Sequence, residues 1–223
     1  MTRRMTRRMT WRMDRAQVGA VRWDNSKMNS PPLILASTSR YRRELLQRLR
    51  LPFSVVSPDV DESPHAGEVP AQLAQRLALA KAQAVSTLHP DAIVIGSDQV
   101  ADLDGQPIGK PGSHENAVQQ LQRMRGRRVI FQTAVAVVYA KGGYAKGLLA
   151  PVGVSFRSLT DAEIEHYLRL EQPYDCAGSA KCETLGIALL EAIDSDDPTA
   201  LVGLPLIRTC QLLREAGLDP LRP

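Results

Sequence analysis

The chain has 223 residues and a mass of 24.5 kDa, which at about 150 residues per domain allows one large domain or two small ones and is enough to bury on the order of 70% of the unfolded surface. Hydrophobic residues make up 43%, with 15 Gly and 15 Pro, which excludes a collagen-like, low-complexity or wholly disordered chain; the longest apolar runs, such as Ala134 to Ala140, fall short of the roughly 20 residues that span a bilayer. The formal charge of +4 is unevenly placed, with eight Arg and Lys against two Asp in residues 1–30, a net of +6 that leaves −2 for the rest, so composition gives the folded part no basic face for nucleic acid.

The chain opens on a four-residue repeat, MTRRMTRRMT, and residues 1–28 carry five of the six Met and both Trp. An Arg-rich arm for RNA or a membrane surface is one reading, and a transit peptide is another, opposed by Asp14 and Asp24. The reading adopted is an unstructured Arg-rich extension over residues 1–30, or an upstream start with Met28 as the alternative, because nothing in it patterns into a packed core.

From Pro31 the pattern alternates between strands and helices. Leu33 to Ala36 reads as a buried strand, followed by the hydroxyls of Ser37-Thr38-Ser39 and a helix from Arg40 to Arg50 with Leu45, Leu46 and Leu49 on one face. Phe53 to Ser57 reads as a strand, and Ala71 to Leu88 as a helix with apolar residues every three or four positions. Ala92 to Ile95 is a further buried strand, taken to end in Gly96-Ser97-Asp98-Gln99. Asp104-Gly105 signals a tight turn, Ser113 caps a helix to Met124, and Val129 to Tyr139 with Tyr144 to Phe156 form a hairpin across Gly142-Gly143. Thr160 and Glu163 have capping-box spacing before Ile164 to Leu170. Leu185 to Ile193 suits strand or helix, with strand favoured by its flanks, and Pro205 starts a last helix to Gly217. No linker divides residues 31–223, so one mixed α/β domain is expected, with two lobes.

Several segments could carry chemistry. Ser37-Thr38-Ser39-Arg40-Tyr41-Arg42-Arg43 lies between a strand and a helix, where free backbone N–H groups, the helix dipole, hydroxyls and guanidinium forks suit a polyphosphate; an ordinary capped helix with a solvated basic face fits the same pattern. Asp98, read at the carboxyl end of a buried strand, is the best candidate base or cation ligand, although an Asp in such a place also caps turns. Gly105 to Pro111 lacks one residue and the Ser or Thr of a Walker loop. Lys110 and Lys81, the latter inside an apolar helix, could each contact phosphate as point charges or be plain surface lysines. Asp59, Asp61 and Glu62 form an acidic cluster suited to Mg²⁺ or to a solvated loop. His65, His89, His114 and His166 are too far apart to form a metal-binding pair on one helix turn. The odd count of three cysteines and the lack of an apolar leader segment point to a reducing cytoplasm, with Cys176, Cys182 and Cys210 read as buried inert thiols.

Taken together, Leu35-Ala36-Ser37-Thr38-Ser39 with Arg42-Arg43-Glu44-Leu45-Leu46, then Asp59-Val60-Asp61-Glu62, Lys81-Ala82, Gly96-Ser97-Asp98-Gln99 and Gly109-Lys110-Pro111, resemble the Maf family of nucleotide pyrophosphatases over about Leu33 to Leu221. Gln99 after the aspartate, where the pyrimidine-nucleotide branch has Thr, resembles the branch acting on 7-methyl-GTP, as do Cys176-Ala177-Gly178-Ser179, Glu183 and Leu201 to Leu206. The resemblance implies a Maf/ITPase-like α/β fold, a mixed twisted sheet flanked by helices with two lobes around a central cleft. It also implies a homodimer, a divalent cation such as Mg²⁺ or Mn²⁺, and hydrolysis between the α- and β-phosphates. It makes Asp98 the proton acceptor and Tyr41, Gln99 and Glu183 the specificity residues. Ser37, Ser39, Arg42, Arg43, Lys81 and Lys110 are expected to hold phosphate, and Asp98 with Glu62 the metal. Two departures are Arg40, where the family commonly has Pro, and Tyr41, where the branch often has Trp. A dTTP or UTP pyrophosphatase of the same family, or a nucleotide-binding regulator with an RNA-binding arm, are the alternatives.

Overall fold

A computed structural model describes residues 30–222; the expectation for the Arg-rich segment before residue 30 concerns residues outside those described. The elements in order are β1 (Leu33–Ala36), α1 (Arg40–Gln47), β2 (Ser54–Val56), α2 (Pro70–Leu88), β3 (Ile93–Leu103), β4 (Gln106–Ile108), α3 (His114–Met124), β5 (Arg128–Tyr139), β6 (Tyr144–Phe156), α4 (Asp161–Glu171), β7 (Leu190–Asp194) and α5 (Leu206–Glu215), with short 3₁₀ turns at Ala177–Ser179, Leu185–Leu189 and Ala200–Val202. Among the described residues the seven strands form one mixed sheet in the order β2-β1-β3-β5-β6-β7, with β4 also on β3. The β1 pairings to β2 and β3 are parallel, and every other pairing is antiparallel. No helix among the described residues is long and apolar enough to cross a membrane.

Three apolar clusters explain the shape. One face of β1 and β3 (Ile34, Val94) meets α2 through Leu73, Ala74, Leu77, Ala78, Ala82 and Val85, the stripe of an amphipathic helix. The other face (Leu33, Leu35, Ile93, Ile95) packs on Leu45 and Leu46 of α1 and Leu212 and Leu213 of α5. Farther along the same long strands, Leu103, Val129, Phe131, Val152 and Phe156 join Leu121, Met124, Ile164 and Leu168 of α3 and α4 in a separate core. The first two clusters cover opposite faces of one end of the sheet and the third covers the other end, which makes the two expected lobes, with β3, β5 and β6 running through both.

One expectation needs correction. Gly96 to Gln99 is not the end of a four-residue strand, because β3 continues to Leu103 and β5 pairs with it without a break from Val94 to Asp102. On its other edge β3 pairs with β1 only over Ile93 to Gly96 and with β4 only over Ala101 to Leu103. Residues 97–100 therefore lie at a slot in the sheet, bordered by Ser37 where β1 ends and by Gly109 where β4 ends. The first helix is also shorter than expected, stopping at Gln47. The segment 185–193 is split, a 3₁₀ turn to Leu189 and then the strand β7.

Candidate active site

The slot gives both faces of β3 to one cleft, because alternate strand residues point to opposite sides. Asp98 emerges on the α2 side and Ser97 and Gln99 on the other, and the cleft between the lobes has a volume of about 770 Å³, within the usual range for small-molecule sites. Its lining includes Ser37, Ser39, Tyr41, Arg42, Glu62, Lys81, Asp98, Gln99, Lys110, Glu183 and Gly203.

Asp98 is 8% exposed. Lys81 Nζ donates to its Oδ1 at 2.7 Å and reaches Glu62 Oε1 at 2.8 Å, so the lysine inside the apolar helix is buried between two carboxylates and is not a surface lysine. Asp98 Oδ2 has no protein partner among the described residues and is left free at the cleft. Gly96 allows this geometry: a Cβ there would stand 2.2 Å from Ala78 O and 2.7 Å from Ala82 N. Only glycine lets α2 approach closely enough to lay Lys81 on the strand. Burial pushes the Glu62 carboxyl up, but the hydrogen bond and charge of Lys81, with Lys110 and Arg42, prevail and hold it below the usual range.

At the mouth of β1, Ser39 caps α1 by accepting from Arg42 N at 3.4 Å, and Ser37, buried, accepts from Ser39 N at 3.1 Å. The backbone N–H groups of Thr38, Arg40 and Tyr41 have no protein acceptor among the described residues, which leaves an anion-binding helix start beside Asp98. Arg42 is half-buried; burial lowers its pKa while Asp98 and Glu62 oppose the shift. Arg43 is a correction. One residue on, it is turned about 100° around the helix, is exposed, and lies beside Gln47, Leu51 and Phe53 outside the cleft. Of the acidic cluster only Glu62 lines the cleft, while Asp61 accepts from Ser63 N at 2.9 Å.

Gly203, within the Leu201 to Leu206 segment, forms a latch that no local sequence pattern signals. Ser97, fully buried, has its Oγ 2.7 Å from Ala134 O and 2.9 Å from Gly203 O, and Arg42 Nε donates to the same Gly203 O at 2.9 Å. Gly203 has φ +117°, a conformation side chains disfavour. Gln99 Nε2 donates to Ala200 O and Leu201 O at 3.0 Å and to Thr133 Oγ1 at 2.9 Å. With Nε2 committed, Gln99 has only its carbonyl oxygen to offer a ligand.

Tyr41 lines the cleft. Its hydroxyl accepts from Arg40 Nη2 at 2.7 Å and lies 3.9 Å from Cys176 Sγ; the Arg40 guanidinium sits 4.7 Å from the ring centroid and Lys181 Nζ 5.9 Å away. Glu183 lines the same end, exposed. The three cysteines are half-buried and not fully buried as expected; Cys176 lines the cleft, Cys182 is next to the lining residue Glu183, and Cys210 lies on α5. Burial and neighbouring carboxylates push the Cys176 and Cys182 thiols up to about 12, so they stay protonated and unreactive.

Among the described residues, no group of three or more His, Cys, Asp or Glu could cage a metal ion. Asp98 Oδ2 and the exposed Glu62 are hard oxygen donors on one side of the cleft. That set fits an ion of the Mg²⁺ type, held by one or two carboxylates and completed by water and ligand phosphates.

Comparison with known proteins gives the lineage. The Maf-like protein family matches residues 32–216. The chain is 69% identical over 189 residues to the 7-methyl-GTP pyrophosphatase of Polaromonas sp. (85% of this chain, 86% of that one). It is 67% identical to the protein of that name from Albidiferax ferrireducens (85% and 95% covered) and 60% identical to that from Bordetella pertussis (86% and 95% covered). Among solved structures, a HAM1 protein from Coxiella burnetii is similar over 58% of this chain and 74% of that one, with a TM-score of 0.42 at 15% identity, a likeness that says nothing about chemistry.

Proposed function

The chain belongs to the Maf-like protein family, and from that premise we propose that it is a nucleoside triphosphate pyrophosphatase that hydrolyses 7-methyl-GTP to 7-methyl-GMP and pyrophosphate. The observation that carries the chemistry is Asp98: a buried carboxylate tied through one oxygen to Lys81, with its other oxygen free at a cleft bordered by Arg42, Lys110 and an open helix N-terminus. The observation that carries the substrate is the name shared by relatives at 60% to 69% identity.

The phosphates occupy the start of α1, where the N–H groups of Thr38, Arg40 and Tyr41 and the hydroxyls of Ser37 and Ser39 supply donors. Arg42, aimed by its bond to Gly203 O, and Lys110 stabilise the charge that develops on the departing pyrophosphate, donors fixed before reaction and needing no reorganisation. Asp98 Oδ2 accepts the proton of the attacking water as general base, with Lys81 holding the carboxylate in orientation. Asp98 and Glu62 would hold Mg²⁺ or Mn²⁺ together with the phosphates. When bound, such an ion supplies Lewis-acid polarisation of the α-phosphate.

At the far end, a purine methylated at N7 carries positive charge and is drawn to an aromatic face by about 0.5–2 kcal/mol. Tyr41 offers that face, and Arg40 must leave its place on the ring if the base takes the same side. Glu183 and the Gln99 carbonyl oxygen accept from the guanine N1 and N2 donors, a pairing that thymine and uracil cannot complete. The test is pyrophosphate release from 7-methyl-GTP, GTP, dTTP and UTP with Mg²⁺ or Mn²⁺. Preference for 7-methyl-GTP is expected, and equal or greater turnover of dTTP or UTP would refute the substrate assignment.

A further inference from the structure

Residues 57–69 link β2 to α2 as a strap with no helix or strand of its own, a length at which structureless segments are uncommon and usually functional. It is mostly exposed, yet it delivers Glu62 to Lys81 at 2.8 Å. Among the described residues, only two side chains outside the strap hydrogen-bond or ion-pair with residues 57–68, namely Arg76 and Lys81.

Arg76 does so as a fork. Its Nε and Nη2 meet the two oxygens of Glu68 at 2.6 and 2.8 Å, and Nη2 also donates to Ser63 O at 2.9 Å. Glu68 in turn accepts from His65 N at 3.0 Å, while His65 O accepts from Glu68 N at 3.1 Å, closing the strap's own turn. Ser63, the residue after Glu62, thus has its carbonyl held by Arg76 and its N–H held by Asp61 at 2.9 Å. The fork matches a carboxylate in two places at once and reaches a third acceptor, which a lysine ammonium on its flexible stem cannot reproduce.

We propose that Arg76, acting through Glu68 and Ser63, is a positioning residue that fixes the strap so that Glu62 stands on Lys81 at the reacting end of the cleft. Arg76 itself does not line the cleft, so it touches no substrate. This rests on the pyrophosphatase reading, since the effect of Glu62 on turnover is part of it.

The test has two arms on the full chain. In the first, amide hydrogen exchange compares parent and Arg76→Lys: faster exchange confined to residues 59–68, with β3 and α2 unchanged, is expected, and unchanged exchange in the strap overturns the proposal. In the second, Arg76→Lys, Glu62→Gln and the double variant are assayed at a temperature where all are folded. About tenfold loss of kcat with KM within about threefold is expected for Arg76→Lys, the scale of a small misplacement of a working group, with the double variant within twofold of Glu62→Gln alone. Multiplying losses in the double variant would mean that Arg76 acts independently of Glu62 and would overturn the proposal. If the parent hydrolyses no nucleotide, the functional reading fails, while the exchange arm still decides whether Arg76 holds the strap.

Discussion

Gly96 is the residue on which the placement of Lys81 turns, and Gly96→Ala is the sharpest perturbation of it. The added Cβ would lie 2.2 Å from Ala78 O, 2.7 Å from Ala82 N and 3.0 Å from Ala82 Cβ. The first two are backbone atoms of one helix, so no side-chain rotation relieves them. Restoring ordinary contact requires α2 to move by about 1 Å, and overpacking of this kind costs about 1–3 kcal/mol. For a domain of this size each kcal/mol lowers Tm by about 2–4 °C, so a fall of about 2–12 °C is expected in a thermal melt. The same shift carries Lys81 away from Asp98 and Glu62, contacts of 2.7 and 2.8 Å, and misplacement by 1 Å can cost about 100-fold in rate. Pyrophosphate release measured well below Tm reads the second effect apart from the first. A variant with the parent's Tm and turnover within twofold would refute the claim that close packing of α2 on β3 sets the site.

Asp98→Asn should lower kcat by about 10²–10⁴, the usual contribution of a general base, with little change in Tm because Lys81 keeps Glu62 as a partner; comparable rates would overturn the assignment. Lys81→Met leaves Asp98 buried without its cation and should cost about 3–5 kcal/mol, read as a lowered denaturation midpoint. Glu183→Gln should narrow the preference for 7-methyl-GTP over UTP, and an unchanged ratio of kcat/KM would dismiss the pairing with guanine. Glu68, held at about 2 by its hydrogen bond to Arg76, binds its proton more weakly folded than unfolded. Its stabilisation is therefore complete above the ordinary value near 4.5 and is progressively lost as pH falls from there through about 2; Glu68→Gln should lower Tm more at pH 6 than at pH 2.

The elements with strong local signals were legible in the sequence: the Ser113 cap, the Thr160–Glu163 box and the hairpin from β5 to β6 stand as their spacing suggests, and of the three hydroxyls offered at the start of α1 it is Ser39 that caps it. The length of β3 was not. Gly96 followed by three polar residues looks like a strand end, and the polar side chains are tolerated in mid-strand only because Lys81, Gly203 O, Ala200 O and Leu201 O satisfy them. Those partners lie up to 106 residues away, beyond any local pattern. Lys81 was visible as a charge in the middle of a largely apolar helix, but its two carboxylate partners came from the fold. Arg42 and Arg43 differ only by one step around α1, and the burial that separates them depends on Gly203, whose carbonyl takes Arg42 from 161 residues away.

The claim at the centre of this account, that water lined up by Asp98 attacks the α-phosphorus, is tested most directly by hydrolysing 7-methyl-GTP in ¹⁸O-labelled water and locating the label by mass spectrometry. The account predicts ¹⁸O in 7-methyl-GMP and none in pyrophosphate. Label in pyrophosphate, or products of 7-methyl-GDP and phosphate, would contradict it.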